Sequence, residues 1–146
     1  MILKIKRLRP GAHLPSRATE GAAGLDLHAL CGEDILLEPL QRALVPTGLA
    51  IQLPDAGSVG LVFARSGLAL REGLAMANGV GVIDSDYRGE ISVPVVNLSN
   101  RVLRICNGER IAQLAILPVM LPEMLEIEEL NDTPRGEGGF GSTGKE

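Results

Sequence analysis

Gly81-Val82-Ile83-Asp84-Ser85-Asp86-Tyr87-Arg88-Gly89 runs an apolar stretch straight into a turn rich in carboxylates. An acidic side chain held at a strand end is well placed to orient or deprotonate a water. The same aspartates would equally cap a hairpin turn. A second stretch, Arg135 to Glu146, holds five glycines, one aromatic, two hydroxyls and two cations. Such a segment cannot build a core, because glycine has no side chain to bury and loses the most backbone entropy on ordering. It can fold over a ligand: the backbone N–H groups at Gly141-Ser142-Thr143 suit phosphate oxygens, Arg135 offers a bidentate fork, and Phe140 a flat face for a base. The plainer reading is a solvated polar tail. Gly139 to Lys145 satisfies most of the P-loop pattern, but Glu146 stands where the magnesium-binding hydroxyl belongs and turn-forming Asn131-Asp132-Thr133-Pro134 precedes it, which excludes a P-loop.

Three further positions carry chemistry of this kind. Ala64-Arg65-Ser66-Gly67-Leu68 opens the one expected helix, where Ser66 is an N-cap or part of an anion site with Arg65. Asp26 follows Ala22-Ala23-Gly24 and reads alone as a surface carboxylate. Gln113 lies in an otherwise apolar strand, so it needs a hydrogen-bond partner, structural or functional.

The elements that must position these groups are strands. Leu25, Leu27 and Ala29 alternate with Asp26 and His28; Leu49, Ile51 and Leu53 alternate with Ala50 and Gln52. Val59, Leu61 and Phe63, then Ile91, Val93 and Val95, then Ile111, Gln113 and Ala115 repeat the pattern. Turn signals at Leu53-Pro54-Asp55-Ala56-Gly57 and Cys106-Asn107-Gly108-Glu109 separate the runs at spacings of an all-β barrel or sandwich. The helix should span Ser66 to Glu72 and stop at Gly73. Strand segments 93–98 and 112–117 are apolar on both faces, which suggests burial against another subunit. One β domain over residues 1–130 and an arm over 131–146 complete the expected organisation.

Composition bounds the rest. A chain of 146 residues, 45% hydrophobic but with no Trp, one Tyr and two Phe, suits a single domain with an aliphatic core. The 18 glycines and nine prolines mean many turns and short strands. A net charge of −4 argues against general nucleic-acid binding. Cys31 and Cys106 lie in no metal-type spacing and read as free thiols of a reducing compartment. Lysines interrupt Met1-Ile2-Leu3-Lys4-Ile5-Lys6, so neither a signal peptide nor a membrane span is expected, and a cytoplasmic location is.

Taken in order, these segments resemble the five motifs of the trimeric dUTP pyrophosphatase (dUTPase) family. Ala23-Gly24-Leu25-Asp26-Leu27 is similar to the first and Arg65-Ser66-Gly67 to the second. Asn78 through Gly89 resembles the third, Gly108-Glu109-Arg110-Ile111-Ala112-Gln113-Leu114 the fourth, and Arg135 through Gly144 the fifth. The resemblance covers essentially the whole chain. Departures are Ala64 where proline is common, His28 after Leu27, and Ser92 in a variable position; none removes a group the chemistry needs.

The resemblance implies an all-β, jelly-roll or barrel-like fold with one short helix and a flexible C-terminal arm, assembled as a homotrimer with sites at the subunit interfaces. It implies magnesium-dependent hydrolysis of dUTP to dUMP and pyrophosphate, which keeps uracil out of DNA and supplies dUMP for thymidylate synthesis. Asp84 would activate the water that attacks the α-phosphorus. Tyr87 would lie beneath the deoxyribose, where a 2′-hydroxyl would collide. The hairpin backbone at Val82 and Ile83, with Asn78, would pair with the uracil edge. Arg65, Ser66, Gly67 and Gln113 would hold phosphates, Phe140 would stack on uracil, and Arg135 with Gly141, Ser142 and Thr143 would grip the γ-phosphate. Mg2+ would be held by the triphosphate, with no direct protein ligand and with Asp26 and Gln113 in its outer shell. A dCTP deaminase of the same fold, or a non-catalytic nucleotide sensor, are the rival readings. Ammonia release from dCTP would mark the first; the presence of Asp84, Tyr87 and the whole arm speaks against the second.

Overall fold

The computed structural model describes residues 1–139. Eleven strands and one helix follow one another as β1 (Lys4–Arg7), β2 (Leu25–His28), β3 (Ile35–Leu37), β4 (Arg42–Pro46), β5 (Leu49–Gln52), β6 (Ser58–Ala64), α1 (Ser66–Glu72), β7 (Leu74–Met76), β8 (Gly81–Ile83), β9 (Ser92–Asn97), β10 (Leu103–Ile105) and β11 (Arg110–Pro118). They form an antiparallel four-stranded sheet β2-β11-β6-β8, a three-stranded sheet β4-β9-β7, and the pairs β1-β5 and β10-β3. This is the expected all-β, jelly-roll-like architecture. The core between the sheets is aliphatic, as the scarcity of aromatics requires: Leu27, Val62, Ile83 and Leu114 come from the larger sheet, and Val45, Val93, Val95, Leu74 and Met76 from the smaller. Buried Asn97 is satisfied, its Nδ2 donating to the carbonyls of Leu37 (2.9 Å) and Arg101 (2.7 Å).

Two strands depart from the simple alternation. In β6 the buried residues are Ser58, Gly60 and Val62, so Val59, Leu61 and Phe63 lie on the other, half-open face. The inward position 60 suits glycine because its neighbours fill the space: a Cβ there would sit 3.2 Å from the Ile83 Cβ and 3.4 Å from a Leu114 methyl. In β11 the register slips between Arg110 and Ala112, a bulge that buries both Ile111 and Ala112 and reverses the parity of the strand.

The helix spans Ser66–Glu72 and ends at Gly73, which takes a left-handed conformation (φ 77°) and donates to the Leu68 carbonyl. Its N-cap is Arg65, extended at φ −82° and ψ 128° and without a side-chain cap, so the expectation that Ser66 caps the helix is corrected: Ser66 is the first helical residue. The extended residue that an N-cap requires is Arg65, and the backbone is already helical at Ser66, one position too late for its hydroxyl to cap. A second correction concerns Asn78: β7 and β8 flank a turn at 77–80 but belong to different sheets, β7 pairing with β9 and β8 with β6, so no hairpin ladder exists there.

Among the described residues no helix is long and apolar enough to cross a membrane. Cys31 and Cys106 are free thiols. Beyond β11 no strand forms through residue 139, and Met120, Leu121, Met124, Leu125 and Leu130 are exposed.

Candidate active site

The β8 strand ends at buried Ile83, and the chain turns sharply at the next residue. Tyr87 N–H donates to the Asp84 carbonyl at 3.1 Å, which closes the turn and leaves the Asp84 side chain exposed at its start. Arg88 fastens the turn from outside by donating to the carbonyls of Ser85 and Tyr87, both at 2.8 Å. Asp84 stands on the lip of a cavity of about 240 Å³ lined by Asn78, Gly81, Val82, Ile83, Tyr87 and Glu90, with Leu44, Met76 and Pro94 among its apolar walls. A wider depression with Ser85, Asp86, Val119 and Leu121 shares Val82 and Asp84 with it. The carboxylate therefore stands where an apolar pocket meets open solvent, the placement expected of a water-activating base. Val82 is largely exposed (63%) at this rim.

A second cluster forms where β2, β11 and β6 run side by side. Gln113 is the register partner of Asp26 on one side and of Phe63 on the other. Asp26 receives Arg65 Nε at 3.3 Å through one oxygen and Arg110 at 3.2 Å through the other. Arg65 also donates to the Arg110 carbonyl at 3.1 Å. Gln113 Nε2 donates to the Ala64 carbonyl at 3.1 Å, so its Oε1 points elsewhere, toward Gly24. A Cβ at Gly24 would lie 2.6 Å from that oxygen, which explains the glycine. Two guanidinium groups against one carboxylate leave an excess positive charge beside the first turn of α1, where Ser66 is exposed and Gly67 half-buried. That arrangement suits a polyanion.

The sequence reading missed two members of these clusters. Arg110 shares the Asp26 carboxylate, and Glu90 anchors the far side of the Asp84 turn by accepting the Gly48 N–H at 2.7 Å and pairing with Arg9. Glu90 stands next to the motif, and only its position among the lining residues reveals it.

The two clusters are not adjacent within one chain. Gly60 of β6 faces Ile83, which puts Asp84 level with Val59, whereas Arg65 follows the other end of the strand. Six residues of strand separate the two levels, roughly 20 Å. Arg135 lies exposed in the segment after β11. Phe140, Gly141, Ser142 and Thr143 lie outside the described residues.

Among the described residues no group of three or more His, Cys, Asp or Glu side chains could hold a metal ion. Both oxygens of Asp26 face guanidinium groups, yet each keeps a free lone pair able to accept from a water. The donor set therefore fits an ion carried mainly by its anionic ligand and reached from the protein through water.

The dUTPase family model matches residues 11–144. A deoxyuridine 5'-triphosphate nucleotidohydrolase of Desulfitobacterium hafniense is 56% identical over 131 residues, 90% of this chain and 87% of its own. One of Hydrogenobaculum sp. is 50% identical over 145 residues, 99% of each chain. A solved dUTPase variant of Staphylococcus bacteriophage 80alpha with dUpNHpp superposes with a TM-score of 0.89 at 31% identity, covering 99% of both chains. With a sandwich of this topology, a carboxylate at the mouth of the β8 cavity and cations around Asp26, the match runs through both clusters, and this chain belongs to the dUTPase family.

Proposed function

We propose that this protein hydrolyses dUTP to dUMP and pyrophosphate, with Asp84 as the base. The observation that carries the reading is the Asp84 carboxylate at the lip of a cavity lined by Asn78, Val82, Ile83 and Tyr87. Asn78 and the backbone of Val82 and Ile83 offer donors and acceptors for a pyrimidine edge. Tyr87 forms the wall against the sugar and rejects a 2′-hydroxyl. Asp84 takes a proton from a water as its oxygen bonds to the α-phosphorus; the bond from that phosphorus to the bridging oxygen breaks, and pyrophosphate leaves. Magnesium carried by the triphosphate would neutralise part of its charge. Arg65 with Gln113 and the first turn of α1 at Ser66 and Gly67 holds the phosphates, with Asp26 acting through water.

A homotrimer supports this reading better than a monomer, because the base-and-sugar pocket and the phosphate grip stand at opposite ends of β6. A neighbouring chain brings its Arg65 end beside the Asp84 cavity. The exposed apolar side chains of Met120, Leu121, Met124, Leu125 and Leu130 supply surface that an assembly would bury. The arm, residues 131–146, then closes the site with Arg135, Phe140, Gly141, Ser142 and Thr143. The cytoplasm, where dUTP forms beside DNA synthesis, is the natural location.

Pyrophosphate release is measured with magnesium on dUTP beside dCTP, dTTP and UTP, with ammonia followed on dCTP. Turnover of dUTP alone is the expected result. Ammonia from dCTP, or equal turnover of all four nucleotides, would overturn the proposal.

A further inference from the structure

We infer that Gly89 is a specificity-determining residue, because only a bare Cα at position 89 leaves the space in which the Tyr87 ring is latched to Glu90. The inference rests on the proposed role of Tyr87 as the wall beneath the sugar.

The Tyr87 side chain is nearly half exposed (46%), yet it is tied down. Its hydroxyl donates to the Glu90 carbonyl three residues on, at 3.0 Å, so the ring folds back across the chain at residue 89. A Cβ built on Gly89 would overlap the Tyr87 hydroxyl oxygen and lie 2.6 Å from Cζ and 3.0 Å from Cε2. Its three nearest atoms all belong to that one ring. A tyrosine has only two side-chain torsions, so the ring cannot slide aside and keep its hydroxyl on the Glu90 oxygen.

The backbone does not itself demand glycine here. The described glycines with positive φ are Gly11, Gly48, Gly73, Gly79, Gly108 and Gly136, and Gly89 is not among them. An alanine could adopt the conformation at 89; what it would evict is the ring.

The receiving end of the latch is itself fixed. Glu90 accepts the Gly48 N–H at 2.7 Å and pairs with Arg9, and the next residue, Ile91, donates to Leu49 at 2.7 Å. Thr47 Oγ1 donates to the Ile91 carbonyl at 2.6 Å. The groups on either side of the carbonyl that holds Tyr87, the Glu90 side chain and the Ile91 backbone, are thus tied to β5 and the turn before it. Refusing a substrate for one extra hydroxyl takes a wall that cannot yield.

The test is a double-mutant cycle on the full-length protein: parent, Tyr87→Ala, Gly89→Ala and the double variant, each assayed for kcat/KM on dUTP and UTP. Each single substitution should raise the UTP:dUTP ratio by roughly ten- to a hundredfold, and the double variant no further than either single. The chain has one tyrosine and no tryptophan, so phenol fluorescence reports on Tyr87 alone. In Gly89→Ala, quenching of that fluorescence by acrylamide should increase. A parental ratio with parental quenching in Gly89→Ala overturns the inference, and so does a double variant in which the two effects multiply. Should Tyr87→Ala itself keep the parental ratio, the sugar-wall reading falls, and quenching in Gly89→Ala still decides whether the glycine seats the ring. Should Gly89→Ala fail to fold, folding of the double variant supports a conflict with the ring; its failure too overturns the inference.

Discussion

His13 stacks on His28, with ring centroids 4.9 Å apart and planes 23° from parallel. These are the two histidines of the chain, and His28 is the register partner of Arg110, one of the two cations that hold Asp26. His28 Nδ1 is buried without a hydrogen-bond partner. Burial holds the His28 imidazole below its ordinary pKa, and the neighbouring His13 lowers it further; Asp26 opposes this, while Arg110 and Arg65 add to it.

The sign of the consequence follows from proton uptake. The unfolded chain takes up a proton at His28 near the ordinary pKa of about 6.5, while the folded chain resists until a lower pH. Stability is therefore undiminished above that value and falls as pH drops from it toward the depressed folded value. Urea unfolding of the parent and His28→Asn at pH 7.5 and pH 5.5 checks this. The parent should lose more stability between the two conditions than the variant does, and parallel losses would remove His28 as the cause.

Asp84→Asn should leave the fold and nucleotide binding nearly intact while turnover falls by about two to four orders of magnitude, since the amide keeps the shape but takes no proton. Single-turnover rates beside a dUpNHpp binding isotherm separate the two properties. Near-parental turnover would remove Asp84 as the base.

Arg110→Ala leaves Arg65 as the sole partner of the Asp26 carboxylate, so less positive charge remains for phosphates. KM for dUTP should rise by roughly tenfold with kcat changed far less, the pattern of lost uniform binding. A fall in kcat alone would argue that Arg110 acts on the chemical step.

In the proposed homotrimer, with the arm of one chain closing over the Asp84 of another, two different defects should complement each other. Asp84→Asn protein and protein cut before Arg135 should each be nearly inactive. After the two are unfolded and refolded together in equal amounts, a site works when its Asp84 comes from a truncated chain and its arm from an Asp84→Asn chain. That occurs in about a quarter of sites under random assortment into a closed ring. Recovery to that level supports exchange of the arm; no recovery, with mixed trimers confirmed by mass, rejects it.

What was legible in the chain is what rests on neighbours in sequence. The helix over Ser66–Glu72 and its stop at Gly73 follow from local propensity and from the left-handed conformation that glycine tolerates. Asp84 at a strand end follows from an apolar run giving way to turn residues, and the aliphatic core from a composition poor in aromatics.

Tertiary structure decided the rest. Strict alternation along β11 would put Arg110 and Gln113, three residues apart, on opposite faces. The bulge at Ile111 inserts one residue, so Arg110 pairs with His28 and Gln113 with Asp26, and both reach the same side of the sheet. The buried face of β6 likewise does not follow hydropathy: Ser58, Gly60 and Val62 face inward, where Ile83 and Leu114 leave little room beyond Gly60, and Val59, Leu61 and Phe63 are left on the other face. Period two in a sequence establishes that a strand has two faces, but which face is inside depends on the strands laid beside it. The same holds for the separation of Asp84 from Arg65: nineteen positions apart in the chain, they are held at opposite ends of β6 by the antiparallel pairing of β8.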